Sequence, residues 1–348
     1  MNRKPWAQSS ATFKVQLALV STIPVAIGAL FVILGGFDFS IGLIGVFLPI
    51  QVIVVGVFGW LKAKKRGLGD ALLIFFTTFF STLVLVLLLS VLGSVIFEGF
   101  KALSPHFIYE NNRYVGTTTS LEYGGVGHAI LGTILIVLLT TVAAVPLGIA
   151  MAVYLTQSQS KMRGVVRTVT QSLAGLPSVV AGLFILAVMQ FTHLERSGLT
   201  GALALFPLML PTVARVAEES LRLVPADLRM AALALGAPNY KAFFQVILPA
   251  AKSGIVTALL LGLARIVGET APLILTTNMN NTTNLNPFNG PMASLPTYVY
   301  NFLGSSYSSS QQRAWGAALV LLIFVGILFG AARILGRKKS LKTSKKAK

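Results

Sequence analysis

Residues 253–277 read SGIVTALLLGLARIVGETAPLILTT. A run of this length and apolarity suits a helix crossing the hydrocarbon core of a bilayer, which takes about 20 residues. It carries one arginine and one glutamate, Arg265 and Glu269, four positions apart. On a continuous helix the two share a face. Ionisable groups at that depth are costly, so they point into a bundle interior or a watery path and mark function. The bland reading of the pair is a self-satisfied ion pair that fixes helix register.

The rest of the chain has the same character. Its 348 residues are 55% hydrophobic and only 11% charged, with a mean hydropathy of +0.79. Soluble domains are about a quarter charged, so this is an all-α integral membrane protein. Eight candidate spans follow from the apolar runs: 16–35, 41–61, 71–97, 128–155, 171–191, 198–214, 253–277 and 314–336. The sixth is short and holds Pro207 and Pro211, so a break is expected there. Such breaks are tolerated where protein or a watery cavity satisfies the freed backbone. The first apolar run is long for a signal peptide and lacks a small-x-small site, so it is read as a retained helix.

The formal charge of +18 is explained by topology. Basic residues cluster in alternate connections: Arg3, Lys4 and Lys14; Lys62, Lys64, Lys65 and Arg66; Lys161, Arg163 and Arg167; the segment 215–252; and the tail from Arg337. The opposite loops hold only Lys101, Arg113, Arg196 and Arg313. The positive-inside rule then places both termini in the cytoplasm, in agreement with an even span number. No basic face with interleaved aromatics suggests nucleic acid. The absence of cysteine excludes disulfides and thiolate chemistry, and His106, His128 and His193 are not spaced as metal ligands. Phosphate-loop, metalloprotease and nucleophile-elbow motifs are missing. Gly125 and Gly127 resemble the start of a dinucleotide fingerprint, but Ile130 occupies the third glycine position. The chain is therefore read as a transport protein rather than an enzyme. An intramembrane enzyme would need a second acid, and Glu269 has none in another span.

Residues 217–255 read AEESLRLVPADLRMAALALGAPNYKAFFQVILPAAKSGI. This amphipathic segment is expected to lie on the membrane face or against a partner. Within it, Gly236 is placed to end a short helix in the left-handed conformation. Ala237-Pro238 blocks continuation and starts a second helix. Two short helices joined by a sharp turn form a rigid knob.

Ala231, Ala232, Gly236, Ile247 and Pro249 resemble the E-A-A-x-x-x-G…I-x-L-P coupling loop of permease subunits in ATP-binding-cassette importers, here at about 217–252. Met230 stands where that pattern carries glutamate, so a charge contact to the ATPase is either absent or supplied by Glu218, Glu219 or Asp227. Further motifs narrow the resemblance. The stretch 261–273, with Arg265, Gly268-Glu269-Thr270 and Ala271-Pro272-Leu273, is similar to the A-R-x-x-G-E-T-A-P-L signature of PstA-type permeases of phosphate importers. Leu176–Gly182, Arg215 with Glu218-Glu219, and Ala293–Pro296 match as well.

The resemblance implies a type I importer (MetI-like) core of six spans over 67–336. It is preceded by a two-span extension at 1–66 and followed by a basic tail at 337–348. It implies that Arg215, Arg265 and Glu269 line the anion path. Their net charge of one positive suits an anion, and guanidinium forks match tetrahedral oxyanions. The implied partners are a sister permease, two ATPase subunits carrying ATP-Mg, and an external phosphate-binding protein, in a bacterial cytoplasmic membrane. No cofactor is expected on this chain itself. Ser178 and Thr270 hydroxyls are read as bonding their own backbone. Sulfate or molybdate as cargo, and a passive anion channel, are the rival readings.

Overall fold

The computed structural model describes residues 46–336 together with Val15, Thr22, Pro24, Ile27 and Leu30. Apart from the isolated residues within it, the first expected span lies outside the described residues, as does the tail 337–348. Every regular element among the described residues is helical. Among the described residues four helices are long and apolar enough to cross a membrane, and up to six if each of two bent pairs is one span. The chain divides into two compact units, Met1–Gly93 and Ser94–Lys348.

The first unit contains α1 (Leu48–Leu61) and the start of α2 (Lys64–Ala102). Helical hydrogen bonding runs through both, yet the chain doubles back. A Cβ on Gly59 would meet the Gly67 carbonyl and the Ala71 side chain, which a straight helix would carry about 12 and about 18 Å away. The reversal lies at the basic connection expected at 62–66, where Lys64 adopts a left-handed φ of 49°. Val55 and Ala71 are buried between the arms, against Phe58, Ile74 and Phe75.

The second unit is built around α7 (Gly198–Arg222). Its N-terminus is fixed by a capping box: the Ser197 hydroxyl accepts from the Thr200 amide, and the Thr200 hydroxyl accepts from the Ser197 amide at 2.9 Å. Such reciprocal bonds satisfy two otherwise orphaned donors. Pro207 and Pro211 each remove one rung of the ladder, but α7 continues through both, against the expectation of a break. It survives because it is enclosed. Leu205, Leu208, Met209 and Val213 have no exposed surface, and they pack with Ile136, Ala144 and Ala152 of α4 (Gly127–Gln157) in the main core. Seven turns of helix run to Arg222, so residues 217–222, expected in the surface loop, belong to this central helix.

Four further helices close the bundle. Helix α10 (Lys252–Val267) runs antiparallel to α7, with Gly254 against Ser220 and Gly262 against Val213 and Met209. Helices α5 (Met162–Ala174) and α6 (Ser178–Thr192) meet at 103°, so the expected span 171–191 is reduced to α6 plus a separate helix lying across it. Helix α13 (Ser308–Gly336) packs through Val325, Leu328 and Phe329 on Leu260, Leu263 and Val267 of α10.

The loops between spans form a second core. Phe107 of α3 (Pro105–Tyr109), Val126, Ala129, Leu295 and Tyr298 of α12 (Leu295–Leu303) and Ala317 gather there. Asn112 donates to the Tyr298 hydroxyl at 2.7 Å. Arg313, counted in sequence as a loop charge, is fully buried. It donates to the carbonyls of Thr119, Ser120 and Tyr123 at 3.0, 2.6 and 3.0 Å.

Gly262 tests the packing at the centre. A Cβ there would stand 2.8 Å from Val213 Cγ2 and 3.1 Å from Met209 Cε. Gly262→Val is expected to destabilise the bundle by about 1–3 kcal/mol through overpacking. A lower unfolding temperature of the detergent-purified protein is the measurement that checks it.

Candidate functional site

Helix α8 (Ala226–Ala234) buries none of its residues. It ends as its sequence requires. Gly236 takes φ +80°, its N–H donates to the Leu233 carbonyl at 2.9 Å, and the Ala237 N–H donates to the Ala232 carbonyl at 3.1 Å. This is the paired bonding of a Schellman turn. Pro238 then caps α9 (Asn239–Ala250). The exposed apolar residues Leu228, Met230 and Leu235 make the knob, Leu235 at 89% exposure. Ala231 and Gly236 are exposed with them, and Ala232 is half-buried.

Ile247 and Pro249 do different work from the knob. Ile247 is buried in the main core with Phe243, whereas Pro249 is exposed. Pro249 has no N–H to give to Gln245 and its ring crowds that carbonyl. The turn before it widens into a π-helix over Phe243–Ile247, and the Leu248 N–H reaches back to Phe243. Such single-turn bulges insert one residue without breaking the helix.

The expected span 253–277 is interrupted. Helix α10 ends at Val267, Gly268 is its cap, and α11 (Ala271–Thr276) starts after Thr270. Arg265 lies in the last turn of α10 while Glu269 lies beyond its end, so the two do not share a helical face. No ion pair joins them among the described residues. The Thr270 hydroxyl bonds its own backbone, at the Gly268 carbonyl, 3.4 Å away. Gly182 of α6 presses against Pro272 of α11. Two motifs far apart in sequence, Leu176–Gly182 and Ala271–Leu273, are thus halves of one contact.

Arg265 is exposed in a four-residue stripe with Ser253, Thr257 and Leu261, on the side of α10 away from α13. Arg215 is exposed on α7, while Val213, Ala214 and Ala217 around it are buried. The contacts of Gly254 and Gly262 set the register of these antiparallel helices, placing the two arginines about 10 Å apart along their axes at 1.5 Å per residue. Neither has an acidic partner among the described residues. Cations on apolar helices without partners of their own need a watery path or a second protein chain beside them.

A different acid is engaged. Glu218 Oε1 accepts from Arg167 of α5 at 2.8 Å and from Arg222 of α7 at 2.6 Å. The glutamate side chain is only 13% exposed. Of the three acids considered as substitutes for the missing coupling-loop glutamate, Glu218 is thus occupied, and Glu219 and Asp227 remain exposed.

Residues 144–341 match a family model described as binding-protein-dependent transport system inner membrane component. The phosphate transport system permease protein PstA 1 of Mycobacterium tuberculosis (strain CDC 1551 / Oshkosh) is 38% identical over 80% of this chain and 92% of its own length. The phosphate transport system permease protein PstA of Xylella fastidiosa (strain 9a5c) is 43% identical over 64% of this chain and 79% of its own. The chain belongs to the PstA permease family. It is a multi-pass transport subunit of ATP-binding-cassette type, not an enzyme. Among solved structures, one of the MetNI methionine ABC transporter aligns with 61% of this PstA-family chain and 93% of its own, at 19% identity and a TM-score of 0.48.

Sequence reasoning passed over the link between Arg167 and Glu218, because Arg167 had a sufficient explanation as a topological charge. The signal available was Glu218 four residues before Arg222, a spacing that pairs on a helix.

This permease has no cysteine of its own, so single cysteines report their surroundings cleanly. Leu261 and Leu88 are 43% and 53% exposed in the isolated chain. Thiols react as thiolates, which form in water and not in hydrocarbon. In the assembled transporter Leu261→Cys is expected to react at least about tenfold faster than Leu88→Cys with a charged, water-soluble methanethiosulfonate. Equal rates would place the Arg265 stripe against lipid.

Proposed function

We propose that this chain is one of two permeases enclosing the path of an ATP-driven importer of inorganic phosphate. The observation that carries the proposal is the pair of arginines, Arg215 and Arg265, exposed on membrane helices without acidic partners among the described residues. The relatives named as phosphate permeases identify the anion. Guanidinium groups donate in a planar fork that matches a tetrahedral oxyanion, and they remain charged at any physiological pH. With Glu269 at the helix break between α10 and α11, the path carries one net positive charge. That favours an anion without trapping it, since conduction requires binding weak enough to release.

The remaining parts follow from what this chain supplies and what it lacks. It has no phosphate-cradling loop of its own, so ATP-Mg is bound and hydrolysed on two partner ATPase subunits. The bare knob α8 docks into one of them, held rigid by the Gly236 turn. The basic connections lie in the cytoplasm with both termini, by the positive-inside rule. The loops at 98–127 and 278–313 then face outward and receive phosphate from an external binding protein. Closure of the ATPase pair moves α8, and the helices rock between outward and inward access. A sister permease covers the exposed stripe of α10 and the Arg215 side of α7.

Labelled phosphate uptake, with sulfate in parallel, tests this in cells lacking the chain and complemented with variants of equal membrane abundance. Arg265→Ala is expected to reduce phosphate uptake by at least about a hundredfold, as removing a charged partner of a desolvated anion costs several kcal/mol. Sulfate uptake restored by the wild type would overturn the cargo and keep the architecture. Full phosphate uptake by Arg265→Ala would reduce that arginine to a packing residue.

A further inference from the structure

We infer that Glu218 is a positioning residue that ties the cytoplasmic end of α7 to α5, so that motion of the coupling knob reaches α6 and the break carrying Glu269. The inference rests on the importer reading above, and it assigns a role to residues outside the anion path.

Glu218 sits four residues before the end of α7, and α8 begins just beyond Leu223-Val224-Pro225. Movement of α8 therefore reaches, across a three-residue link, the turn of α7 that carries this carboxylate. Two guanidinium groups converge on the same oxygen, Glu218 Oε1. They differ in what they connect. Arg222 is on α7 itself and can stiffen only its own helix. Arg167 comes from α5, 51 residues away in sequence, and its ion pair with Glu218 joins two different helices.

What Arg167 holds is also specific. Helix α5 joins α6 through the bend at Gly175-Leu176-Pro177, where the helices meet at 103°. Helix α6 in turn touches the far end of the broken span, because Gly182 admits Pro272 at van der Waals distance with no side chain between them. Pro272 lies three residues from Glu269. A contiguous series of contacts thus runs from α8 through the end of α7, Glu218, Arg167, α5 and α6 to the start of α11. The Thr170 and Val166 side of α5 lies toward the protein while Met162, Val165 and Val169 face outward, so packing alone holds α5 on one side. Each step other than the ion pair is a covalent bend or a packed contact. The ion pair is the step whose strength depends on charge, and it can be removed without opening a cavity in the apolar core.

The same oxygen accepting both bonds supplies the control. If Glu218 acts by joining helices, loss of Arg167 uncouples transport and loss of Arg222 does not. If it acts only by stabilising the end of α7, the two losses are equivalent. The experiment uses the complete transporter, with its sister permease, ATPases and binding protein, in proteoliposomes. Phosphate uptake and ATP hydrolysis are read together for wild type, Arg167→Ala, Arg222→Ala, Glu218→Gln and the exchange Arg167→Glu with Glu218→Arg.

Arg167→Ala and Glu218→Gln are expected to lower phosphate moved per ATP by at least about tenfold, within the range of a coupling between sites, while ATP hydrolysis continues. Arg222→Ala should stay within about twofold of wild type, and the exchange should recover most of the lost ratio. A fall in uptake and hydrolysis in the same proportion, equal effects of the two arginine variants, or an unchanged ratio in Arg167→Ala would each overturn the inference and leave the importer reading intact. A wild-type assembly that moves no phosphate would overturn that reading and the inference with it.

Discussion

Inside a bilayer no water is available to a backbone group that loses its hydrogen bond, and that constraint governs where this chain can bend. It interrupts its helices only where its own structure meets the cost. At the elbow between α5 and α6, the amides of Gly175 and Leu176 donate to the carbonyls of Ser172 and Leu173 at 3.2 Å each. Before Pro249 the ladder shifts to a π turn rather than opening, with Phe243 and Ile247 inside the core. At Gly268–Thr270 the break is backed by α6 through Gly182 and Pro272. Pro207 and Pro211 cause no break because α7 is surrounded by α4, α6 and α10. Enclosure, rather than the prolines themselves, decides the outcome.

The same logic separates two pairs of charges that look alike in sequence. Glu218 and Arg222 are four residues apart, as are Arg265 and Glu269. The first pair sits on an unbroken helix and closes to 2.6 Å. The second is divided by the end of α10 at Gly268, and its members stay apart. Spacing creates an ion pair only when the helix between the residues is continuous. The break leaves Arg265 and Glu269 unpaired with each other, and Arg265 has no ion-pair partner among the described residues. The acid that is neutralised, Glu218, lies instead at the end of α7, close in sequence to the exposed helix α8. One carboxylate is used to hold helices together, and another is kept out of such use.

Outside the spans, burial changes the meaning of a charge. Arg313 belongs by sequence to the sparse basic residues of the outer loops, yet its guanidinium is spent on three backbone carbonyls of the segment 119–123. These bonds hold an irregular segment whose carbonyls are not part of a helix, and the buried guanidinium gains three acceptors. Ser309 and Ser310 donate to Thr117 beside it. The loop is thus anchored to α13 by side chains, and burial pushes the Tyr298 phenol in the same layer up to about 12. It remains neutral and accepts from the Asn112 side-chain amide.

Sequence by itself determined the solvent, the helical class, the family resemblance and the Gly236 turn. Hydropathy over some 20 residues decides whether a segment enters a bilayer, and a left-handed glycine followed by proline is settled within a few bonds. It also named Arg215, Arg265 and Glu269 from a motif, but could not say whether they pair. Tertiary structure alone decided that Glu269 falls beyond the end of its helix, that α7 passes through two prolines, and that Ile247 is a core residue and not part of the exposed knob. It alone brought Arg167 to Glu218. These outcomes depend on which helices enclose which, and on contacts between residues far apart in the chain, where no local periodicity carries the information.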